Sequence, residues 1–333
     1  MTERHDLADA FLETTDWANC TRVDLAGDAS NRRYERVFEH DTNLPAVLMD
    51  APPDKGEDVA TFVRITNHLR DLGFSAPEIL AEDTNHGFLL IEDLGDDLYA
   101  RVLTREPNLE APLYEAATDV LVDLHSATVP ELGSMSSRVM AEMDEIAFTH
   151  YYGGIVGTQD ATMATQFVNQ FIDILHRTVI GDHVLVQRDY HADNLLLLPK
   201  RKGVARVGLL DYQAAFAGHR AYDLVSLLQD ARRDVPADIE LKMIDHYIAK
   251  TDVDDTEFRT AYAVLGVQRN LRILGVFARL SLDYGKPQYV NLIPRVWAHV
   301  IRGLDHLALA PVADLIRNNM PPPTPENLDK LRP

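Results

Sequence analysis

Arg188-Asp189-Tyr190-His191-Ala192-Asp193-Asn194 is the stretch whose reading decides the fold. It is a polar loop set among short apolar runs. Val184–Gln187 before it reads as a strand, and Leu195–Leu198 and Val207–Leu210 after it read as a strand pair joined at Pro199-Lys200-Arg201-Lys202-Gly203. Seventeen residues beyond Asn194, where the last of these strands ends, stands Asp211 in Leu209-Leu210-Asp211-Tyr212-Gln213. Asp189, Asn194 and Asp211 are thus presented on a small β island.

Outward from this island the chain changes character twice. Residues 111–127 place Leu113, Ala117, Val120, Leu121 and Leu124 on one helical face, and 163–179 do the same with Phe167, Phe171, Ile174 and Leu175. The remainder after the island is helical again and ends in Pro321-Pro322-Pro323, a tail expected to be loosely held. Toward the N-terminus, residues 21–38 read as two strands around the turn-prone Gly27-Asp28-Ala29-Ser30, and Pro45–Met49 as a third. A helix follows over 57–72 on Val59, Phe62, Ile65 and Leu69, and Gly73 ends it. Two more strands lie near 78–81 and 87–92. The pattern predicts an α+β protein with a five-stranded antiparallel lobe carrying one helix, residues 1–93, and a larger, mostly helical lobe, residues 94–333.

Composition narrows the function. With 333 residues, 46% hydrophobic and 25% charged, the chain can bury a sizeable core. Its 32 basic residues against 52 acidic ones give a net charge of −20, which repels phosphate backbones and argues against a nucleic-acid partner. Cys20 is the single cysteine, so neither an intrachain disulfide nor a cysteine metal cage can form. No apolar run approaches the length of a membrane span and the first ten residues lack a signal-peptide pattern, so a cytoplasmic protein is expected.

The loop itself matches R-D-x-x-x-x-N, the catalytic loop of kinases. In that chemistry the Asp reaches the substrate hydroxyl, and the Asn five residues on turns back to a Mg²⁺ held on phosphates. Asp211 then stands where the second metal-binding Asp of a kinase is found, with Tyr-Gln in place of Phe-Gly. Together with Gly27–Tyr34, Leu48-Met49-Asp50-Ala51-Pro52-Pro53, Ile91-Glu92-Asp93-Leu94-Gly95 and Ala221-Tyr222-Asp223-Leu224, this text resembles the aminoglycoside phosphotransferase and choline kinase-like superfamily, with its protein-kinase-like two-lobed fold. Within it, the chain is similar to a bacterial branch that phosphorylates the anomeric hydroxyl of N-acetylmuramate and N-acetylglucosamine in cell-wall recycling.

The resemblance implies ATP and Mg²⁺ as cofactors and a small molecule, an amino sugar, as substrate. Asp189 would be the base and Asn194 and Asp211 the metal ligands. Gly27, Asp28, Ala29 and Ser30 would cover the phosphates, and backbone groups at Glu92, Asp93 and Leu94 would hold adenine. An aminoglycoside or choline-like amine kinase and an inactive nucleotide-binding scaffold are the alternatives. The branch departs from kinases at the third strand, where Val47-Leu48-Met49 holds no lysine, and Lys55 is the only lysine before residue 200. Arg32 or Arg33 is expected to supply that charge, since strand alternation turns one of them toward the nucleotide. Gln187 replaces a His two residues before the base, a change expected to alter local hydrogen bonding only. His125 and His191 read as packed structural histidines, Asp193 as a turn cap, and Asp223 as a helix cap or a brace for the catalytic loop.

Overall fold

The computed structural model describes residues 2–25, 31–56, 58–181 and 183–333. Gly27–Ser30 and Glu57 therefore lie outside the described residues. The strands are β1 (Thr21–Leu25), β2 (Arg33–Phe38), β3 (Pro45–Asp50), β4 (Ile79–Asp83), β5 (Phe88–Glu92), β6 (His183–Val186), β7 (Leu195–Leu197), β8 (Val207–Leu209) and β9 (Phe216–His219). The helices that matter below are α1 (Thr2–Leu12), α2 (Val59–Asp71), α3 (Tyr99–Arg105), α4 (Glu110–Leu124), α5 (Ser137–Glu142), α6 (Gly153–Val156), α7 (Ala161–Thr178), α8 (Ala221–Leu228), α9 (Ala237–Lys250), α10 (Asp255–Leu282), α11 (Ile293–Gly303), α12 (Ala310–Asn319) and α13 (Pro325–Asp329). They fall into two compact units, Met1–Pro107 with Asp193–Gln213, and Asn108–Ala192 with Ala214–Pro333.

The first unit is built on a five-stranded antiparallel sheet in the order β1-β2-β3-β5-β4. Its central strands are buried on both faces, which is why β5 reads Phe-Leu-Leu-Ile without alternation. Val37, Ala46, Leu48, Phe88 and Leu90 form one face and pack against Ala8, Phe11 and Leu12 of α1. That helix was not legible, and the lobe carries more than the one helix expected. α1 is polar over its first five residues, Leu7 packs partly against the same cluster, and Arg22, bridging Asp9 and Glu35, ties the helix to the sheet.

Gly87 closes the turn before β5 at φ 76°, where a Cβ would meet the Ala51 carbonyl oxygen at 2.0 Å. Ala51 N–H donates to the Gly87 carbonyl at 2.8 Å, so the two backbones are in direct contact just ahead of Pro52-Pro53. Gly87→Ala is expected to destabilise the protein by about 2 kcal/mol or more, since it combines a left-handed L-residue with a backbone clash. Thermal unfolding of the purified variant checks this, and an unchanged midpoint would contradict it.

The β7–β8 hairpin belongs to this first unit although it follows residue 190. Leu196 bridges Leu98, Gly208 bridges Ser75, and Leu209 N–H donates to the Ser75 carbonyl at 3.0 Å. Ser75 Oγ adds a bond to the Ala205 carbonyl at 2.6 Å. The compact units consequently divide after Pro107, with a detour through 193–213, and not at the expected 93.

The second unit is helical around α10, whose 28 residues are buried on most of their circumference. Gly275 lets that helix touch a π-helical turn, Ala147–Tyr152, because a Cβ there would lie 2.3 Å from the Ile146 carbonyl carbon. The strand β6 of the two-stranded β6–β9 ribbon leads into the segment Arg188–Asn194. The proline-rich tail is docked, contrary to expectation. Tyr151 donates to the Pro321 carbonyl at 2.7 Å, Ser281 donates to the Leu331 carbonyl at 2.6 Å, and Met320, Leu328 and Leu331 are buried. The prolines set its path, and the three apolar side chains between and beyond them anchor it. Among the described residues no helix is long and apolar enough to cross a membrane.

Candidate active site

In the second unit, β6 delivers the chain to Asp189 through a strained turn. Arg188 has φ 78°, a left-handed conformation that costs a non-glycine residue about 1 kcal/mol or more. What holds it is Asp223, fully buried in the first turn of α8. Its carboxylate accepts from Gln187 N–H at 2.6 Å and Arg188 N–H at 2.8 Å. Ser226, three residues along the same helix, donates to the Arg188 carbonyl at 3.2 Å. Both backbone groups of Arg188 are therefore pinned by one helix, which fixes the direction in which Asp189 leaves the loop. Asp223 acts as the brace and not as a cap, since Arg220 holds the N-cap position of α8.

On the far side of Asp189, buried Tyr190 donates to the Ala117 carbonyl at 2.8 Å, anchoring the loop to α4. His191 is buried, and burial followed by the Arg232 and Arg269 charges pushes its imidazole well below the usual range. Its neutral Nε2 accepts from the Arg232 guanidinium at 3.2 Å. His125 is a packed residue as expected, with Nδ1 2.8 Å from the Tyr247 hydroxyl and its pKa pushed down to about 3 by burial.

In the first unit, the β7–β8 hairpin brings Asn194 and Asp211 together. Leu210 N–H donates to the Asn194 carbonyl at 3.0 Å, and Asn194 Nδ2 lies 3.5 Å from Asp211 Oδ2. Asp211 also adopts the left-handed conformation, φ 58°, which turns its carboxylate out of the strand direction. Gln213 Nε2 donates to Asp211 Oδ1 at 2.5 Å. The residue between them, Tyr212, is buried, stacks on Phe62 at 5.3 Å and shares a 2.7 Å hydroxyl bond with Thr66. Tyr212 thus locks Asp211 to α2.

These donors suit a hard divalent cation. Mg²⁺ prefers oxygen ligands and is bound through one or two carboxylates with phosphate and water completing its shell. Asp211 supplies a carboxylate and Asn194, with its Nδ2 turned to Asp211, leaves an amide oxygen. Among the described residues no group of three or more His, Cys, Asp or Glu is arranged as a metal cage.

The two arginines proposed to replace the third-strand lysine separate cleanly. Alternation along β2 puts Arg33 on the face of Glu35 and Val37, the α1 face. Arg32 shares the parity of Tyr34 and Arg36, and Tyr34 lies close enough to Tyr212 to act on its hydroxyl. Continued one residue before β2, that alternation would put Arg32 on the side of Tyr212, the neighbour of Asp211. Arg32→Ala is expected to raise the KM for ATP about tenfold, the cost of one charge-assisted contact, while Arg33→Ala changes it by less than about twofold. Steady-state kinetics with varied ATP checks both. Lys55 is exposed on the turn after Pro53.

The acids of the 92–94 segment are held in ion pairs. Glu92 pairs with Arg201 and lies 3.7 Å from Arg70. Asp93 binds Arg36 Nε at 2.5 Å and accepts from Gly95 N–H at 2.9 Å. Arg36 also reaches Asp96 at 3.0 Å, and the paired carboxylates raise its pKa further. This clamp from β2 to the segment after β5 was missed in the sequence. The signal for it was an arginine in the middle of β2, on the face opposite Val37, with a run of acids in Glu92-Asp93-Leu94-Gly95-Asp96-Asp97.

A family model described as the phosphotransferase enzyme family matches residues 21–262. The chain belongs to that family. This phosphotransferase is 35% identical to an N-acetylmuramate/N-acetylglucosamine kinase of Caulobacter vibrioides, over 90% of this chain and 92% of that protein. It is 31% identical to a protein of the same name from Pseudomonas aeruginosa, over 84% of this chain and 82% of the relative. Solved phosphotransferases share its fold at low identity. The choline kinase LicA of Streptococcus pneumoniae superposes with a TM-score of 0.62 at 14% identity, covering 90% of this chain and 99% of its own. ADP-bound aminoglycoside phosphotransferase APH(2'')-Ib does so with a TM-score of 0.58 at 13% identity, covering 89% and 94%.

Proposed function

We propose that this phosphotransferase moves the γ-phosphoryl group of ATP to the anomeric hydroxyl of an N-acetylated amino sugar, N-acetylmuramate or N-acetylglucosamine. The observation that carries the reading is the extent of its likeness to kinases of these sugars, which spans nine-tenths of the chain and so most of the C-terminal hundred residues where no motif is readable. The braced Asp189 suits the chemistry. An anomeric hydroxyl is more acidic than other sugar hydroxyls, so a carboxylate suffices to orient it and take its proton.

In this reading the anomeric oxygen attacks the γ-phosphorus as the bond to the bridging oxygen of ADP breaks, and Asp189 receives the hydroxyl proton. Asn194 and Asp211 would hold Mg²⁺, which supplies charge neutralisation and in-line alignment at the β- and γ-phosphates. Arg32 contributes a fixed positive charge to the phosphates. Positioning and electrostatics supply most of the acceleration, because phosphoryl transfer asks for little covalent work from the protein.

The test is ATP–Mg²⁺ turnover by purified enzyme against N-acetylmuramate, N-acetylglucosamine, kanamycin and choline, with ³¹P NMR of the product. An anomeric phosphate from either sugar is the expected result. Turnover confined to kanamycin or choline would overturn the acceptor assignment, and no nucleotide turnover with any acceptor would favour an inactive scaffold.

A further inference from the structure

The second unit holds a group of arginines whose side chains form no ion pair among the described residues. Arg188 immediately precedes the base, and Arg269 and Arg272 lie three residues apart on α10 and so share a helix face. Arg269 is only 6% exposed, and its Nη1 has no hydrogen-bond partner among the described residues. Among those residues none of the three side chains forms an ion pair or a hydrogen bond. In a chain with 52 acidic residues, three adjacent arginines without a carboxylate partner are an exception that calls for a ligand.

The three are neighbours of one another and of the base. Burial and then the Arg272 charge disfavour the charged form of Arg188, with Asp189 opposing and Arg269 adding to the effect. The carboxyls nearby form no ion pair with them. Asp144 is fully buried, burial pushes its carboxyl well above the usual range against the opposing Arg272 charge, and it accepts from Gln268. Asp223 is committed to the N–H groups of Gln187 and Arg188. α8 carries Asp223 and Ser226 to the catalytic loop, and Asn270 of α10 donates to Gln229 at its C-terminal end at 2.8 Å, so loop, α8 and α10 form one framework.

We propose that Arg188, Arg269 and Arg272 form an anion-binding subsite that receives the carboxylate of the acceptor, making this enzyme selective for N-acetylmuramate over N-acetylglucosamine. The proposal rests on the sugar-kinase reading above. The two sugars differ only in the lactyl ether of N-acetylmuramate, on the ring carbon two along from the anomeric one. An acceptor that offers its anomeric hydroxyl to Asp189 would bring that carboxylate near the arginine that precedes the base in sequence. A planar carboxylate also matches the donor fork of a guanidinium, which a preformed and already desolvated arginine can meet without further cost.

Two measurements test it. In the wild type, N-acetylmuramate is compared with its neutral methyl ester and with N-acetylglucosamine. The free acid is expected to have a kcat/KM at least about tenfold above both, as one lost charge-assisted hydrogen bond implies. Equal values for acid and ester would overturn the subsite whatever the mutants do. In Arg272→Gln, which is half-buried and therefore safer to replace than Arg269, the ratio of kcat/KM for N-acetylmuramate to that for N-acetylglucosamine is expected to fall about tenfold, with partial recovery in Arg272→Lys. A ratio within twofold of wild type, with kcat falling equally on both sugars, would assign the cluster to the transferred phosphoryl group instead. If the wild type phosphorylates neither sugar, the functional reading itself fails. If it phosphorylates both without discrimination, only the subsite does.

Discussion

Asp189→Asn is expected to lower kcat by about 10²- to 10⁴-fold, the range over which a positioned general base contributes, while the KM for ATP changes little. The substitution keeps the size of the side chain and its place after the braced Arg188, so the loop geometry survives. The amide cannot take the hydroxyl proton. Coupled-assay kinetics together with a thermal melt separate this from misfolding, because the melting temperature should stay within a few degrees. A variant that retains full kcat would move the proton elsewhere and remove Asp189 from the mechanism.

Asp223→Ala should be nearly as damaging by a different route. It strips the acceptor from two buried N–H groups, Gln187 and Arg188, each of which then carries a desolvation cost of about 1–3 kcal/mol. It also frees the left-handed turn at Arg188, so activity falls along with stability. The same residue gives a pH signature. Burial pushes its carboxyl up to about 7, with the two N–H bonds and Arg269 opposing and Asp189 reinforcing. Because the folded value lies above the ordinary carboxylate value, the folded state holds this proton more tightly. That contribution to stability is complete below about pH 4 and is lost as the pH rises through about 7. The melting temperature of wild type minus that of Asp223→Asn should therefore shrink between pH 5 and pH 8. A difference that grew over this interval would reverse the sign and refute a raised carboxyl.

The strands other than β9, which falls in a stretch read as helical, and the two amphipathic helices at 57–72 and 111–127 were legible because their apolar periodicity is strong and Gly or Pro punctuates them. Asn194 and Asp211 were legible for a different reason, since a fixed spacing across a hairpin survives without any knowledge of what surrounds it. α1 was not, because its five apolar residues are crowded into its second half and give almost no period, and its stability comes from the sheet it covers. The docked tail was missed on similar grounds: prolines signal a broken helix, but not the Tyr151 and Ser281 hydroxyls that wait for its carbonyls. Arg269 and Arg272 look in sequence like ordinary charges on a long helix. Only the burial of α10 turns them into a site, and that depends on helices far away in the chain. The Arg36 clamp likewise needed the register of β2 against β3 and β5 before its partners came within reach.

The detour of residues 193–213 into the first unit has a consequence for how the protein is made. The sheet of residues 21–92 can pair as soon as it leaves the ribosome, but Ser75, Leu98 and the aromatic face of α2 must wait for the hairpin and Tyr212. Translation of the intervening segment takes roughly 5–20 s at about 5–20 residues per second. For that interval the nascent sheet carries exposed edges and an unfilled slot, so its maturation is tied to synthesis of the second unit's first half. A fragment ending near residue 107 should consequently be a poor stand-in for the first unit, and a chaperone has a defined stretch of the chain to guard.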